Sequence, residues 1–256
     1  MSVLSYLERR ASEAVLSDAE KRSINTSITT LRARLISYFG KNVSEQFQFG
    51  SSTRGTILPR KMDEGSDIDY MIVFSESGYT PQTYLDRVKR FAETYYSRSE
   101  IKQSSPTIVL ELNHIKFDLV PALKSYYAYQ IVGRNGEWLD TNPNDFNETL
   151  TAKNNQELFK IKPTIRLVKF WNARSGYVFD SYSLEKWIVG LSYWGCINQA
   201  QYLFNVFDNL SPYSIDTQWR REKVERAKRI IATVRQYEQD GMPYSAEEEV
   251  KKLIPE

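Results

Sequence analysis

Residues 49–70 read FGSSTRGTILPRKMDEGSDIDY and run directly into the apolar MIVF. The stretch opens on a Gly-Ser turn and closes on two aspartates one residue apart, Asp67 and Asp69. A short apolar run bounded by turn residues predicts a strand. Side chains two apart on a strand point to the same side, so the two carboxylates share a face and repel each other unless a cation lies between them. Hard oxygen ligands grouped in this way suit Mg²⁺ or Mn²⁺, which keep places for water and substrate phosphates.

Upstream, SDAEKRSINTSITTLRARLISYFG carries a capping-box pattern at Ser17 and Glu20, then Ile24, Ile28, Leu31 and Leu35 at helical spacing. It predicts a long amphipathic helix stopped by Gly40. SEQFQFG alternates, as do TIVLEL and IKFDLV on either side of Asn113-His114, and QIVGRNGEWLDT reads as a second hairpin. Beyond it the pattern turns helical, with helices predicted over about residues 151–174, 182–207 and 217–239. Strands gathered in the first part and helices in the second predict an α+β chain: a mixed-sheet lobe over 1–150 and a helical second lobe over 151–256.

In IKFDLV, Ile115, Phe117 and Leu119 alternate toward a core, which sends Asp118 to the opposite face. There a neighbouring aspartate pair could meet it, and three carboxylates can hold two metal ions, one on a triphosphate and one on an attacking hydroxyl. Gly50 allows close backbone approach, and Ser51 offers a hydroxyl and an N–H to phosphate oxygens at the start of a helical turn. Gly-Ser and Asp-x-Asp are each common alone. In this order, with a later third aspartate, they point to nucleotide chemistry.

A formal charge of +2 gives no global field for a nucleic-acid backbone. One cysteine, Cys196, excludes an intrachain disulfide and a Cys-rich zinc site. MSVLSYLERRASEAV lacks the apolar core of a signal peptide and no run reaches membrane-spanning length, so a soluble cytoplasmic protein with no membrane partner is expected. The single histidine, His114, reads as a turn residue, which argues against histidine-based catalysis and leaves Asp118 as the candidate base. The basic helix WRREKVERAKRIIATVRQ reads first as a solvated face on a packed helix, with a nucleotide or nucleic-acid contact as the alternative.

The Gly-Ser turn, the Asp-x-Asp and the distant third aspartate resemble the nucleotidyltransferase superfamily typified by DNA polymerase beta. KPTIRLVKFWN, residues 162–172, resembles the helix of oligoadenylate synthase and cyclic GMP-AMP synthase that presents a lysine to the donor triphosphate, with Lys169 in that place. DSYSLEKW, residues 180–187, resembles the following helix start, where Ser181 meets phosphate and Tyr182 stacks on the donor base. The combination is similar to the bacterial CD-NTases, and NPNDFNETL fits that branch. The resemblance implies a polymerase beta-like palm, two Mg²⁺ or Mn²⁺ ions on Asp67, Asp69 and Asp118, and a nucleotide pocket of Gly50, Ser51, Lys169, Ser181 and Tyr182. It implies nucleoside triphosphate substrates and a cyclic di- or trinucleotide product read by a downstream effector in antiphage defence (CBASS). Transfer of a nucleotide to an antibiotic or a protein side chain is the alternative. The zinc insertion of the animal DNA sensor has no counterpart among these residues, so no activation by double-stranded DNA is expected.

Overall fold

The computed structural model describes residues 2–104, 106–126, 128–133 and 135–256, the side chain of Ser214 aside. In chain order the helices are α1 (Val3–Glu13), α2 (Asp18–Phe39), α3 (Gly50–Arg54), α4 (Pro81–Tyr95), α5 (Asp145–Gln156), α6 (Ile161–Arg174), α7 (Ser181–Val189), α8 (Gln199–Asn209), α9 (Gln218–Gln239) and α10 (Pro243–Lys251). The strands are β1 (Val43–Phe49), β2 (Asp67–Phe74), β3 (Glu100–Ser104), β4 (Thr107–Glu111), β5 (Lys116–Lys124), β6 (Tyr129–Val132) and β7 (Trp138–Thr141). The chain divides into a sheet unit, Leu16–Arg60 with Glu64–Asn147, and a helical unit of the chain up to Val15, Lys61–Asp63 and Glu148–Glu256.

In the sheet unit the strand order is β1-β2-β5-β4-β3, with β6 on β5 and β7 on β6. Among the described residues only β2 and β5 run parallel; the other pairs are antiparallel, so the sheet is mixed as expected. The capping box at Ser17 forms with Glu20, and α2 ends at Gly40, whose φ of 53° suits glycine. One sheet face buries Ile68, Tyr70, Ile72 and Phe74 of β2 with Phe117 and Leu119 of β5, against Leu31 and Leu35 of α2 and Val88 and Phe91 of α4. The other face carries a smaller apolar cluster of Met71, Val73, Val120 and Ala122. Helix α4 has its own signals, Pro81 in the first turn and buried Tyr84, Leu85, Val88, Phe91 and Ala92 at helical spacing.

In the helical unit, α1 is tied to the C-terminal residues by a 2.6 Å bond from the Tyr6 hydroxyl to the Ile254 carbonyl. The helix expected over about residues 151–174 is two. The chain turns at Leu158 and Phe159, both with positive φ, and the Asn154 side chain accepts from the Lys162 N–H at 2.9 Å to cap α6. Pro163, in the first turn of α6 where no N–H is needed, is the sequence signal for that start. The helix expected over 182–207 also splits: Gly195, at φ 81°, lies in the break, and Asn198 caps α8 by accepting from Gln201 N–H at 3.0 Å. Helix α9 follows the expected range closely.

Candidate active site

The parallel register of β2 and β5 sets Asp69 beside Asp118 and Asp67 beside Lys116. Because Ile68, Tyr70, Phe117 and Leu119 are buried on the other face, all four of these polar residues stand on one side of the sheet. The structure thus brings the three sequence-derived carboxylates onto adjacent positions of two strands.

Gly50 backs directly onto them. Its φ is +74°, and a Cβ built there would lie 1.8 Å from Asp69 Oδ2. Only glycine fits on both counts. Gly50 also opens the single turn of α3, in which Ser51 is half-buried and the Thr53 hydroxyl donates to the Gly50 carbonyl at 3.0 Å. The Ser51 carbonyl accepts from Thr56 N–H at 3.0 Å and Ile57 N–H at 3.1 Å, which turns the chain into the loop toward Asp67. In that loop Arg60 pairs with Glu111 and donates to the Glu64 carbonyl at 3.1 Å.

Sequence reasoning passed over Lys116, although its spacing of two from Asp118 places it on the same face. Its Nζ lies 3.2 Å from Asp67 Oδ2 and 4.0 Å from Asp118 Oδ1. Burial pulls the Lys116 ammonium down, and the carboxylates of Asp67 and Asp118 more than reverse this, so its pKa stands above the ordinary lysine value. Burial and the Asp67 charge push the Asp118 carboxyl up to about 6, against the pull of Lys116. Asp118 Oδ1 is buried and accepts no hydrogen bond.

Among the described residues no three acidic, histidine or cysteine side chains form a ready metal cage. The donor chemistry still fits Mg²⁺ or Mn²⁺, since Mg²⁺ usually takes one or two carboxylates and completes its shell with water and substrate phosphates. Asp118 keeps an orphaned buried oxygen and Asp67 already draws the ammonium of Lys116, so both favour the positive charge that such an ion supplies.

The remaining predicted residues lie in the helical unit. Lys169 of α6 is buried, and its Nζ makes a 2.8 Å ion pair with Glu185 of α7, itself 1% exposed. Ser181 is the first residue of α7, after Asp180 caps that helix by accepting from Ser183 N–H at 2.8 Å. The Tyr182 ring is 42% exposed, with the Lys186 ammonium 5.5 Å from its centroid. Glu185 was not foreseen; DSYSLEKW carries no pattern that marks it as a partner of Lys169.

Comparison with known proteins agrees with this architecture. The fold is similar to that of E. coli MS115-1 CdnC, solved with ATP, with a TM-score of 0.73 at 15% identity over 100% of this chain and 98% of that one. It is also similar to Vibrio cholerae DncV, a cyclic AMP-GMP synthase solved with a linear intermediate, with a TM-score of 0.67 at 12% identity over 96% of this chain and 77% of that one. In sequence, 190 residues are 28% identical to a Bacillus cereus protein described as a probable cyclic nucleotide synthase, covering 58% of this chain. The match spans about half, 55%, of that relative's length. Residues 1–154, which hold Gly50, Ser51 and all three aspartates, match the Second Messenger Oligonucleotide or Dinucleotide Synthetase domain, and the chain belongs to this SMODS family.

Proposed function

We propose that the chain is a metal-dependent nucleotidyltransferase that joins nucleoside triphosphates, with release of pyrophosphate, into a cyclic di- or trinucleotide second messenger. The supporting observation is the register of β2 and β5, which gathers Asp67, Asp69 and Asp118 on one face with Gly50 packed against Asp69. The three aspartates would hold two Mg²⁺ or Mn²⁺ ions, which neutralise triphosphate charge and lower the pKa of the attacking hydroxyl. The protein itself contributes position. Gly50 leaves space for Asp69, the Ser51 hydroxyl donates to a phosphate oxygen, and Ser181 and Tyr182 present a hydroxyl and a stacking face from the head of α7. Lys169, through its pair with Glu185, joins α6 to that helix. CBASS signalling to a separate cyclic-nucleotide effector is the setting we assign to the product, on the family membership and the synthase activity ascribed to the Bacillus and Vibrio relatives.

The test is product analysis. Protein supplied with labelled triphosphates and Mg²⁺ or Mn²⁺ should yield label that survives alkaline phosphatase, because ring closure leaves no terminal phosphate. Label transferred to an aminoglycoside or a protein acceptor, with no phosphatase-resistant nucleotide under any metal or base combination, would overturn the proposal.

A further inference from the structure

Helix α9 carries more positive charge than its packing requires. Lys228 has a structural use, donating to the carbonyls of Asp208 and Leu210 at 2.9 and 2.6 Å, and Arg235 pairs with Asp208 at 2.6 Å. The side chains of Lys223 and Arg226 make no hydrogen bond or ion pair among the described residues, and neither does that of Arg174 at the end of α6. These three side chains, with Lys252, line one cavity of about 190 Å³ walled by Trp171 and Ile230. Among the described residues no aspartate or glutamate lines it. Lys252 alone is balanced, by Glu249 at 2.5 Å.

A cation in the last turn of a helix, such as Arg174, is favoured by that helix's own dipole. Lys223 and Arg226 lie in the N-terminal half of α9 and have no such reason to face it. Like charges gathered without counter-charges cost stability, so their convergence points to an anion that is not part of the fold. The cavity is smaller than the roughly 300–1,000 Å³ of pockets that enclose a whole ligand. It therefore seats part of one, and guanidinium and ammonium groups bind phosphate through charge-assisted hydrogen bonds.

We propose that this cavity of the helical unit is a binding site for the phosphate groups of a phosphate-bearing ligand, separate from the aspartate site. The phosphates come either from free polyphosphates and nucleotides or from the diester backbone of an oligonucleotide.

Calorimetry in EDTA, with tripolyphosphate as probe, tests the site without metal-mediated binding. Wild-type protein should bind, more weakly as salt rises, and Lys223→Gln/Arg226→Gln should bind at least tenfold more weakly. Asp67→Asn/Asp69→Asn should bind as wild type does, so the result does not depend on the proposed activity. Without probe, the Gln variant should melt no lower than wild type; with probe, only wild type should gain thermal stability. A 5′-hydroxyl oligoribonucleotide separates the sources: binding that the same substitutions weaken assigns the backbone, and binding of tripolyphosphate alone assigns free phosphates. No tripolyphosphate binding, equal affinity in the Gln variant, or a lower melting temperature without a probe-dependent difference would overturn the inference.

Discussion

Replacing Gly50 by alanine separates backbone strain from damage to the aspartate site. An L-residue at φ +74° pays about 1–2 kcal/mol for the left-handed conformation. The added methyl must also displace the Asp69 carboxylate, whose Oδ2 would lie 1.8 Å away, and overpacking of this kind costs about 1–3 kcal/mol more. Gly241 supplies the control, with φ +70° and nothing within 4 Å of a built Cβ. Gly241→Ala should lose about 1–2 kcal/mol in denaturant unfolding and keep its turnover, whereas Gly50→Ala should lose about 2–5 kcal/mol. Turnover, read as pyrophosphate release at a temperature where both variants are folded, should fall on the order of 100-fold in Gly50→Ala, because an ångström of misplacement at a reacting centre has that effect. Wild-type turnover in Gly50→Ala, or destabilisation no greater than in Gly241→Ala, would refute the assignment of Gly50 as the support of Asp69.

Lys169→Ala should cost about 1.5–3 kcal/mol by removing a charged hydrogen-bond partner of the buried Glu185, as followed by chemical denaturation. Asp118, raised from 3.8 to about 6, favours the folded state in its protonated form; in metal-free buffer this stabilisation is fully present below about pH 4 and lost as pH rises through 6. The loss amounts to about 3 kcal/mol at 1.36 kcal/mol per pKa unit, and Asp118→Asn should flatten that part of the stability profile. Lys116→Met removes the ammonium between Asp67 and Asp118, so without metal the melting temperature should fall, and the rise on adding Mn²⁺ should exceed that of wild type in differential scanning fluorimetry.

The sheet face and its carboxylates were legible because they depend on a period of two. Ile115, Phe117 and Leu119 declare which side of β5 is buried, and Asp118 follows by alternation. Lys116 obeys the same alternation, but a lysine beside aspartates looks like ordinary surface charge until the parallel register sets it against Asp67. The long helices were legible in type and less so in extent. The break between α5 and α6 is made by Leu158 and Phe159, apolar residues in left-handed conformations with no glycine to announce them. Tertiary contacts set that turn, whereas the gap before α8 has local signals, Gly195 and the cap residue Asn198, that the reading of one helix over 182–207 passed over. Burial of Lys169 was not legible at all, since helical spacing says which face a lysine occupies and nothing about a carboxylate on the next helix.

The energetics explain how the chain tolerates its own site. Ionising Asp118 above pH 6 works against folding by about 3 kcal/mol, and Lys116 offsets part of the repulsion from Asp67. Against that stand Ile68, Ile72, Phe74, Phe117 and Leu119, buried on the opposite face of the same two strands. At about 1.5–3 kcal/mol each they contribute roughly 8–15 kcal/mol, and a slip of one residue would turn them all to the wrong side. The apolar face therefore decides the register, and the charged face has to accept the juxtaposition of Asp69 with Asp118. Carboxylates held together by a core on the far side of the sheet cannot relax apart when no cation is present. That rigidity suits the role proposed for these aspartates as metal ligands: the cost of assembling like charges is met during folding, before any substrate arrives.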